Sequence, residues 1–506
     1  MTKTEQSVNP RVSTLDLSEE ALESLSSQIT SLVTEYFADV AGLPVFPRTH
    51  GGETIEKLGS ELSTEGLPLP DLMTQCRVIL NGLRHNGHPR SFGYVASPAT
   101  PPGAFADLLA SAVNANVPAW RSAPAAAEVE MTVVRWLGQL IGYDNDAHGL
   151  LTSGGSMANM IALLIAHRTK SPDDIAAKGL WHSSSPMIVY VSDQVHMSIP
   201  KAADVIGIGR DQVCVIETDE RYRIDVQRLR LQIEADLENS LKPFCIVGSA
   251  GTVNTGAVDP LTEVGKVARE FDLWFHVDGA YGAPGSMDER KRPLFAGLDL
   301  ADSVSLDPHK WLYVPIDAGC LLFRDAAKAR VAFSSDEADY IRIHEKDQTE
   351  AFAFWDYGVE LSRRFRALKI WMTLQYYGVN RIAKAIAEDI SLAAYLAQRL
   401  DDAEDFELLA PVELSICCFR YVPREFRARL ESAAPEGRAK VDAELDELNT
   451  QIMLAVQRGG KAYVSNATVR GKFALRACIT NFRTTEADID KTLEIIRAAA
   501  SAIKIE

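Results

Sequence analysis

The sequence offers nothing from which a covalent or metal-bound framework could be built. Its seven cysteines, Cys76, Cys214, Cys245, Cys320, Cys417, Cys418 and Cys478, are odd in number and scattered, and no pair has CxxC spacing. That argues against a disulfide scaffold or a zinc site and fits a reducing compartment. Basic charge is short as well, since 52 Lys and Arg against 69 Asp and Glu leave a formal net charge of −17. Nucleic-acid partners need clustered cations to displace phosphate counterions, so none is expected. No apolar run approaches the length that spans a bilayer, and the opening residues, MTKTEQSVNPRVSTLDLSEE, lack the apolar stretch of a signal peptide. The expectation is a cytoplasmic protein with no membrane partner and no metal.

What is present is ordinary globular composition, 46% hydrophobic and 24% charged, in a chain of 506 residues that is too long for one compact unit. Ser18 to Val40 carries Leu22, Leu25, Ile29, Leu32 and Val33 at helical spacing behind a Ser18 cap. Gly42 to Pro70 is rich in Pro and Gly and reads as an extended connection. From about residue 100 to 325, helical patterns such as Glu128 to Ile141 alternate with short apolar runs: Met187 to Val191, Phe244 to Gly248, Leu273 to Val277 and Gly319 to Phe323. This alternation predicts an α/β fold with a mostly parallel sheet. Further on, Leu414 to Phe419 and Phe473 to Ile479 read as paired strands, Arg424 to Glu447 as a solvated helical face, and Glu486 to Ala499 as a closing helix. The expected division is an N-terminal helical and extended segment (1–100), a large domain (101–368) and a small α+β domain (369–506).

Three motifs carry chemistry. Thr152-Ser153-Gly154-Gly155-Ser156 runs into an apolar helix, so its glycines and the first helical N–H groups suit a phosphate, although a Gly-rich turn capped by Ser156 explains it equally well. Asp278 in His276-Val277-Asp278-Gly279-Ala280 should close a strand, where α/β sheets bind ligands; alone, a strand-end Asp capping the next turn is the simpler explanation. Asp307-Pro308-His309-Lys310-Trp311 places Lys310 32 residues after Asp278 and beside Trp311 and Tyr313, where partial desolvation would favour the neutral, nucleophilic amine. Phosphate cradle, strand-end acid and downstream lysine together match the three demands of pyridoxal 5′-phosphate (PLP): an anion site, a partner for the ring nitrogen and an amine for the aldehyde.

With these motifs the chain resembles the group II PLP-dependent amino-acid decarboxylases, the family of aromatic-L-amino-acid, histidine and glutamate decarboxylases. DPHKW is the most specific element. The resemblance implies PLP fold type I, aspartate-aminotransferase-like, a homodimer and a carboxy-lyase. It implies that Lys310 binds PLP as a Schiff base, that Asp278 partners the pyridine nitrogen, and that Gly155, Ser156 and His309 contact the phosphate. His196, in Ser192-Asp193-Gln194-Val195-His196, matches the histidine stacked on the ring near the substrate carboxylate; Thr252 and Ala280 match further ring contacts, and Asp193 a supporting acid.

Ser334 to Lys346 is polar and poorly periodic and reads as a mobile loop over the site. The resemblance gives its Tyr340 the Cα proton, which favours simple decarboxylation; a phenylalanine there goes with aldehyde formation. Tyr94, Ser97 and, in the Ser362-Arg363-Arg364-Phe365-Arg366 element, Ser362 match substrate-pocket positions. Serine at 362 leans the expectation to phenyl or phenolic amino acids, while Val95, Ala96 and Pro118 depart from the animal aromatic decarboxylases. The alternatives are a histidine, branched-chain or glutamate decarboxylase, an aldehyde synthase of the same fold, or a non-catalytic homologue, which would be expected to have lost Lys310 or Tyr340.

Overall fold

Between residues 148 and 323 the short apolar runs become strands of one sheet in the structure, a computed structural model that describes residues 15–62, 64–180, 185–333, 347 and 349–503. These strands are β1 (His148–Thr152), β2 (Met187–Ser192), β3 (Val213–Ile216), β4 (Lys242–Ser249), β5 (Trp274–Asp278), β6 (Ser303–Leu306) and β7 (Gly319–Phe323). Their spatial order is β1-β7-β6-β5-β4-β2-β3. Only β7 runs antiparallel to its neighbours, so the sheet is mostly parallel, as expected.

Both faces of the sheet are covered, which is why β2 and β7 read as unbroken apolar runs. Alternation along β2 sends Ile188 and Tyr190 into one core with Val133 and Leu137 of the helix Pro124–Ile141. Val189 and Val191 enter the other core with Ile161 and Ile165 of the helix Gly155–Lys170. β3 escapes the sequence reading because it is a four-residue edge strand with Val215 exposed.

A second, antiparallel sheet holds β8 (Phe406–Leu408), β9 (Ile416–Tyr421), β10 (Ser465–Val469) and β11 (Lys472–Cys478) in the order β10-β11-β9-β8. β9 and β11 pair through Leu475 with Phe419 and Cys478 with Ile416. The closing helix, Glu486–Ala502, starts in a capping box of Thr485 and Asp488. At the other end of the chain, Ser18 caps the helix Glu19–Asp39, its Oγ accepting from the Ala21 amide at 3.2 Å.

Two local expectations are corrected. The stretch from Gly42 to Pro70 is not extended throughout: Glu53–Leu58 forms a short helix that ends at Gly59, whose φ of 81° suits glycine. The stretch from Arg424 to Glu447 is not only a solvated face. It breaks before Pro435 into Arg424–Ser432 and Pro435–Gly459, and Phe426, Val441 and Leu445 enter the small core. Among the described residues no helix is long and apolar enough to cross a membrane, and no cluster of side chains suits a metal ion.

One ion pair ties β1 to the segment after residue 360. Arg363 Nη2 lies 2.5 Å from Glu130 Oε1, with both side chains about 1% exposed, and the guanidinium also donates to the carbonyls of Val117 and Leu151. Glu130 Oε1 in turn accepts from the Leu151 amide at 2.9 Å. Removing one member strands the other charge in the core, so Glu130→Ala should cost about 3–5 kcal/mol. Glu130→Gln, which still accepts from the Leu151 amide, should cost less. Urea denaturation of the two variants measures the difference.

Candidate active site

The carboxyl ends of β1, β2, β4, β5 and β6 feed turns that wall a cavity of about 330 Å³. Gly155, Ser156, His196, Thr252, Asp278, Ala280, His309 and Lys310 all line it. Eight positions spread over 155 residues of chain thus reach one space because parallel strands deliver their ends to the same edge of the sheet.

Asp278 is the last residue of β5 and is 8% exposed. Its Oδ1 accepts from the Ala280 amide at 3.1 Å and from Ser305 Oγ at 3.3 Å; its Oδ2 accepts from Asn159 Nδ2 at 2.9 Å. Every one of these donors is neutral. A buried carboxylate held this way and facing a cavity is suited to a cationic ring nitrogen, because an unpaired buried charge is costly.

Opposite it, the helix Gly155–Lys170 begins at the cavity wall, and its first N–H groups lack intrahelical acceptors. Gly155 is a steric requirement here: a Cβ on it would sit 2.8 Å from Ala280 Cβ and 2.9 Å from Asp307 Oδ2. His309 Nδ1 lies 2.8 Å from the Ala318 carbonyl oxygen, and burial lowers its pKa while Asp307 opposes that shift.

Lys310 Nζ is 2.9 Å from Asp307 Oδ2, while Asp307 Oδ1 is buried with no hydrogen-bond partner. The expectation of an amine set among aromatics is corrected here. Trp311 stacks on Tyr281 with centroids 5.2 Å apart, and Trp311 Nε1 and Tyr313 Oη both donate to Asp389 Oδ2, at 2.9 and 2.7 Å, so these rings are committed elsewhere. The group beside the lysine is a carboxylate.

His196 Nδ1 lies 2.8 Å from Ser198 Oγ, and burial lowers its pKa. Thr252 Oγ1 is 2.9 Å from Thr255 Oγ1 and accepts from the Ala257 amide, which fixes its loop. Asp193 is spent on Thr218, accepting from its amide and hydroxyl. Val95 lines the cavity, whereas the matched substrate-pocket positions Tyr94, Ser97 and Ser362 are not in its wall. Tyr94 is 56% exposed with φ 60° and meets Tyr463, Ser97 Oγ donates to the His309 carbonyl behind the lysine turn, and Ser362 is exposed. Tyr340 and the rest of 334–346 lie outside the described residues.

Sequence reasoning missed Asn159, Ser198 and Arg476. Asn159 and Arg476 are 1% and 3% exposed, and a polar side chain inside an apolar helix or strand was the available signal. Arg476 donates to the carbonyls of Val253 at 2.9 Å and Tyr94 at 2.8 Å, joining β11 to the cavity rim.

A lysine amine, a carboxylate held by neutral donors, a helix start stripped of side chains and a buried unpartnered carboxylate oxygen are a donor set that fits PLP, and they define a PLP-enzyme site. Residues 52–422 match the family model for the pyridoxal-dependent decarboxylase conserved domain. The chain is 35% identical to an aromatic-L-amino-acid decarboxylase of Bacillus atrophaeus, across 97% of this chain and 98% of that one. It is 30% identical to a 4-hydroxyphenylacetaldehyde synthase of Rhodiola rosea, across 97% and 96%. The solved structure of Oryza sativa TDC with PLP and tryptamine superposes with a TM-score of 0.87 at 27% identity, covering 97% of this chain and 99% of that one. This chain belongs to the group II pyridoxal-dependent decarboxylases. Its cofactor is PLP, and it is a carboxy-lyase acting on an amino acid.

Gly155→Ala tests the cradle. The added methyl must push apart Ala280 and Asp307, an overpacking cost of about 1–3 kcal/mol, equivalent to roughly tenfold to hundredfold weaker cofactor binding. Fluorescence titration with PLP measures it, with circular dichroism expected to remain that of the native protein.

Proposed function

We propose that the enzyme converts an aromatic L-amino acid with a phenyl or phenolic side chain into its amine and CO₂. The observation that carries this reading is the joint presence in one cavity of Lys310, Asp278, His196 and the Gly155–Ser156 helix start. The aromatic preference draws on the relative from Bacillus atrophaeus and on Ser362.

When bound, PLP supplies an electron-withdrawing ring that takes up the electron pair left behind as CO₂ departs. The chain does the rest. Lys310 would hold the cofactor through Nζ. Asp278 keeps a proton on the ring nitrogen, and the Gly155–Ser156 amides with His309 hold the phosphate. His196, Thr252 and Ala280, which line the same cavity, would hold the ring. Tyr340 delivers a proton to the substrate Cα.

We further propose a homodimer in which Tyr94, Ser97 and Ser362 shape the substrate pocket near the subunit boundary. Tyr94 and Ser362 are exposed on the single chain, as are Leu22, Phe105, Leu108, Leu109 and Val113. A second copy would bury such a surface. The seven free cysteines, five of them buried, support a reducing compartment, and we assign the enzyme to the cytoplasm.

The test is a panel of amino acids scored for CO₂ release with PLP present, alongside borohydride reduction and peptide mapping. Phenylalanine, tyrosine or a hydroxylated relative should give amine plus CO₂, with the reduced cofactor on Lys310; Lys310→Ala should lose that link and stay folded. Cofactor on another lysine overturns the site, and release only from glutamate or histidine overturns the substrate class.

Tyr340→Phe separates steps of the reaction. It leaves Lys310 and Asp278 untouched, so cofactor and substrate should still bind. The loss should fall on kcat for amine formation. With Cα protonation slowed, dioxygen can intercept, and aldehyde, ammonia and hydrogen peroxide should rise as amine falls. Amine production at the wild-type rate with no oxidative product would return Tyr340 to the role of an ordinary loop aromatic.

A further inference from the structure

Behind the cavity wall a chain of hydrogen bonds can be given a direction from groups whose roles admit no choice. The indole Nε1–H of Trp274, which only donates, lies 2.9 Å from Ser303 Oγ. Ser303 Oγ is also 2.9 Å from His276 Nδ1; because the Asp278 carboxylate only accepts, Asn159 turns its Nδ2 to it and its Oδ1 to His276, so His276 carries its proton on Nε2 and the serine hydroxyl donates to Nδ1. Burial lowers the His276 pKa to about 4, which keeps the ring neutral. His276 Nε2–H then donates to Asn159 Oδ1 at 3.0 Å. On the other side of the amide, Asn159 Nδ2 donates at 2.9 Å both to the Asp278 carboxylate and to Ser198 Oγ.

The far end is fixed by a backbone amide. The Ser198 N–H donates to His196 Nδ1 at 3.2 Å, which requires a lone pair there. Ser198 Oγ, already accepting from Asn159, points its own proton at the same nitrogen over 2.8 Å. Nδ1 therefore receives two donors and cannot hold a proton of its own. The ring proton of His196 sits on Nε2.

We infer that Asn159 and Ser198 are positioning residues which hold His196 as the Nε2–H tautomer and, through the shared Asn159 amide, orient Asp278 at the same time. The inference rests on the proposed roles of His196 and Asp278 at the reacting centre. It explains why an asparagine stands at 1% exposure in an apolar helix: its amide is a branch point whose oxygen reads His276 and whose nitrogen serves both sides of the site. It also explains how His196 stays neutral. Protonating Nδ1 would force two donors away, in addition to the burial that lowers its pKa. The charged groups facing His196 are Asp278 on β5 and Asp307 and Lys310 in the turn after β6; the carboxylates favour the imidazolium and the lysine opposes it.

The experiment uses the holoenzyme of the wild type and of Ser198→Ala, Asn159→Ala and Ser198→Thr, the last retaining the hydroxyl. Ser198→Ala and Asn159→Ala should each lower kcat about tenfold to hundredfold, the usual range for residues that orient a reacting group through its far side. In both, the acid limb of kcat/KM should move to higher pH: Ser198→Ala takes a donor from Nδ1, and Asn159→Ala frees the Ser198 hydroxyl to turn and accept from a protonated Nδ1. Ser198→Thr should keep the wild-type limb. Cofactor loss on dilution, followed by visible absorbance, should quicken in Asn159→Ala and not in Ser198→Ala, since only Asn159 touches Asp278. On the acid limb the double variant should match Ser198→Ala alone, because Asn159 reaches His196 only through that hydroxyl. An unmoved limb in both single variants, or equal cofactor loss in all, overturns the relay. If the wild type itself released no CO₂, the functional reading would fail, and cofactor loss would still decide whether Asn159 serves Asp278.

Discussion

A carboxylate taken out of water must be surrounded by donors or neutralised, and the burial of Asp278 at the end of β5 imposes that condition on everything around it. Ala280 supplies an amide from the following turn, Ser305 a hydroxyl from β6, and Asn159 an amide from the first helix after the phosphate turn. Three separate stretches of chain are thereby brought to one residue. Because all three donors are neutral, the charge is solvated without being cancelled, and it remains available to a cation in the cavity. A salt-bridged Asp at this position would have been more ordinary and would have had nothing left to offer a ring nitrogen.

The neighbouring charges are handled differently, and the contrast separates function from architecture. Glu130 and Arg363 cancel each other completely inside the core and spend their remaining hydrogen-bonding capacity on backbone groups of Val117 and Leu151. Only Arg363 Nε is left without a hydrogen-bond partner, 3.9 Å from Glu360 Oε2. Asp307 and Lys310 are only half matched: one carboxylate oxygen meets the amine and the other is buried without a partner. An incompletely satisfied group of this kind marks a place where another molecule completes the arrangement.

The legible parts of the sequence were those where one residue type has few reasons to occur. Strands buried on both faces announce themselves as apolar runs, so β2, β4, β5 and β7 were foreseen, whereas β3, short and half exposed, was not. Asp278 and Lys310 were legible because a strand-end acid and a lysine at set distances from a glycine turn form a pattern that packing alone does not require. Asn159 was illegible because its three partners come from β5, from the segment after β2 and from His276, separated by 39 to 119 residues. A helix wheel shows an asparagine but not what it faces. Tyr94 and Ser362 illustrate the opposite limit, since matching motifs named them while the single chain leaves both exposed.

The lysine turn shows why the small sheet and its helices matter to a site built on the large sheet. Trp311 and Tyr313, flanking the turn, both donate to Asp389 on the long helix Ala367–Asp401, and Asp389 also accepts from the Asn481 amide beyond β11. Burial pushes the Asp389 pKa up to about 7, while the donors Tyr313, Trp311 and Asn481 pull it back toward the ionised form. Tyr281, stacked on Trp311, reaches Ser415 before β9 with a hydroxyl contact of 2.6 Å, and Arg476 of β11 grips Val253 and Tyr94 at the rim. The cavity is therefore clamped along two walls by the small sheet and its helices. Any shift of that sheet against the large one has to be transmitted to Lys310 through Trp311 and to the rim through Arg476, because neither contact can slide without leaving a buried polar group unpaired.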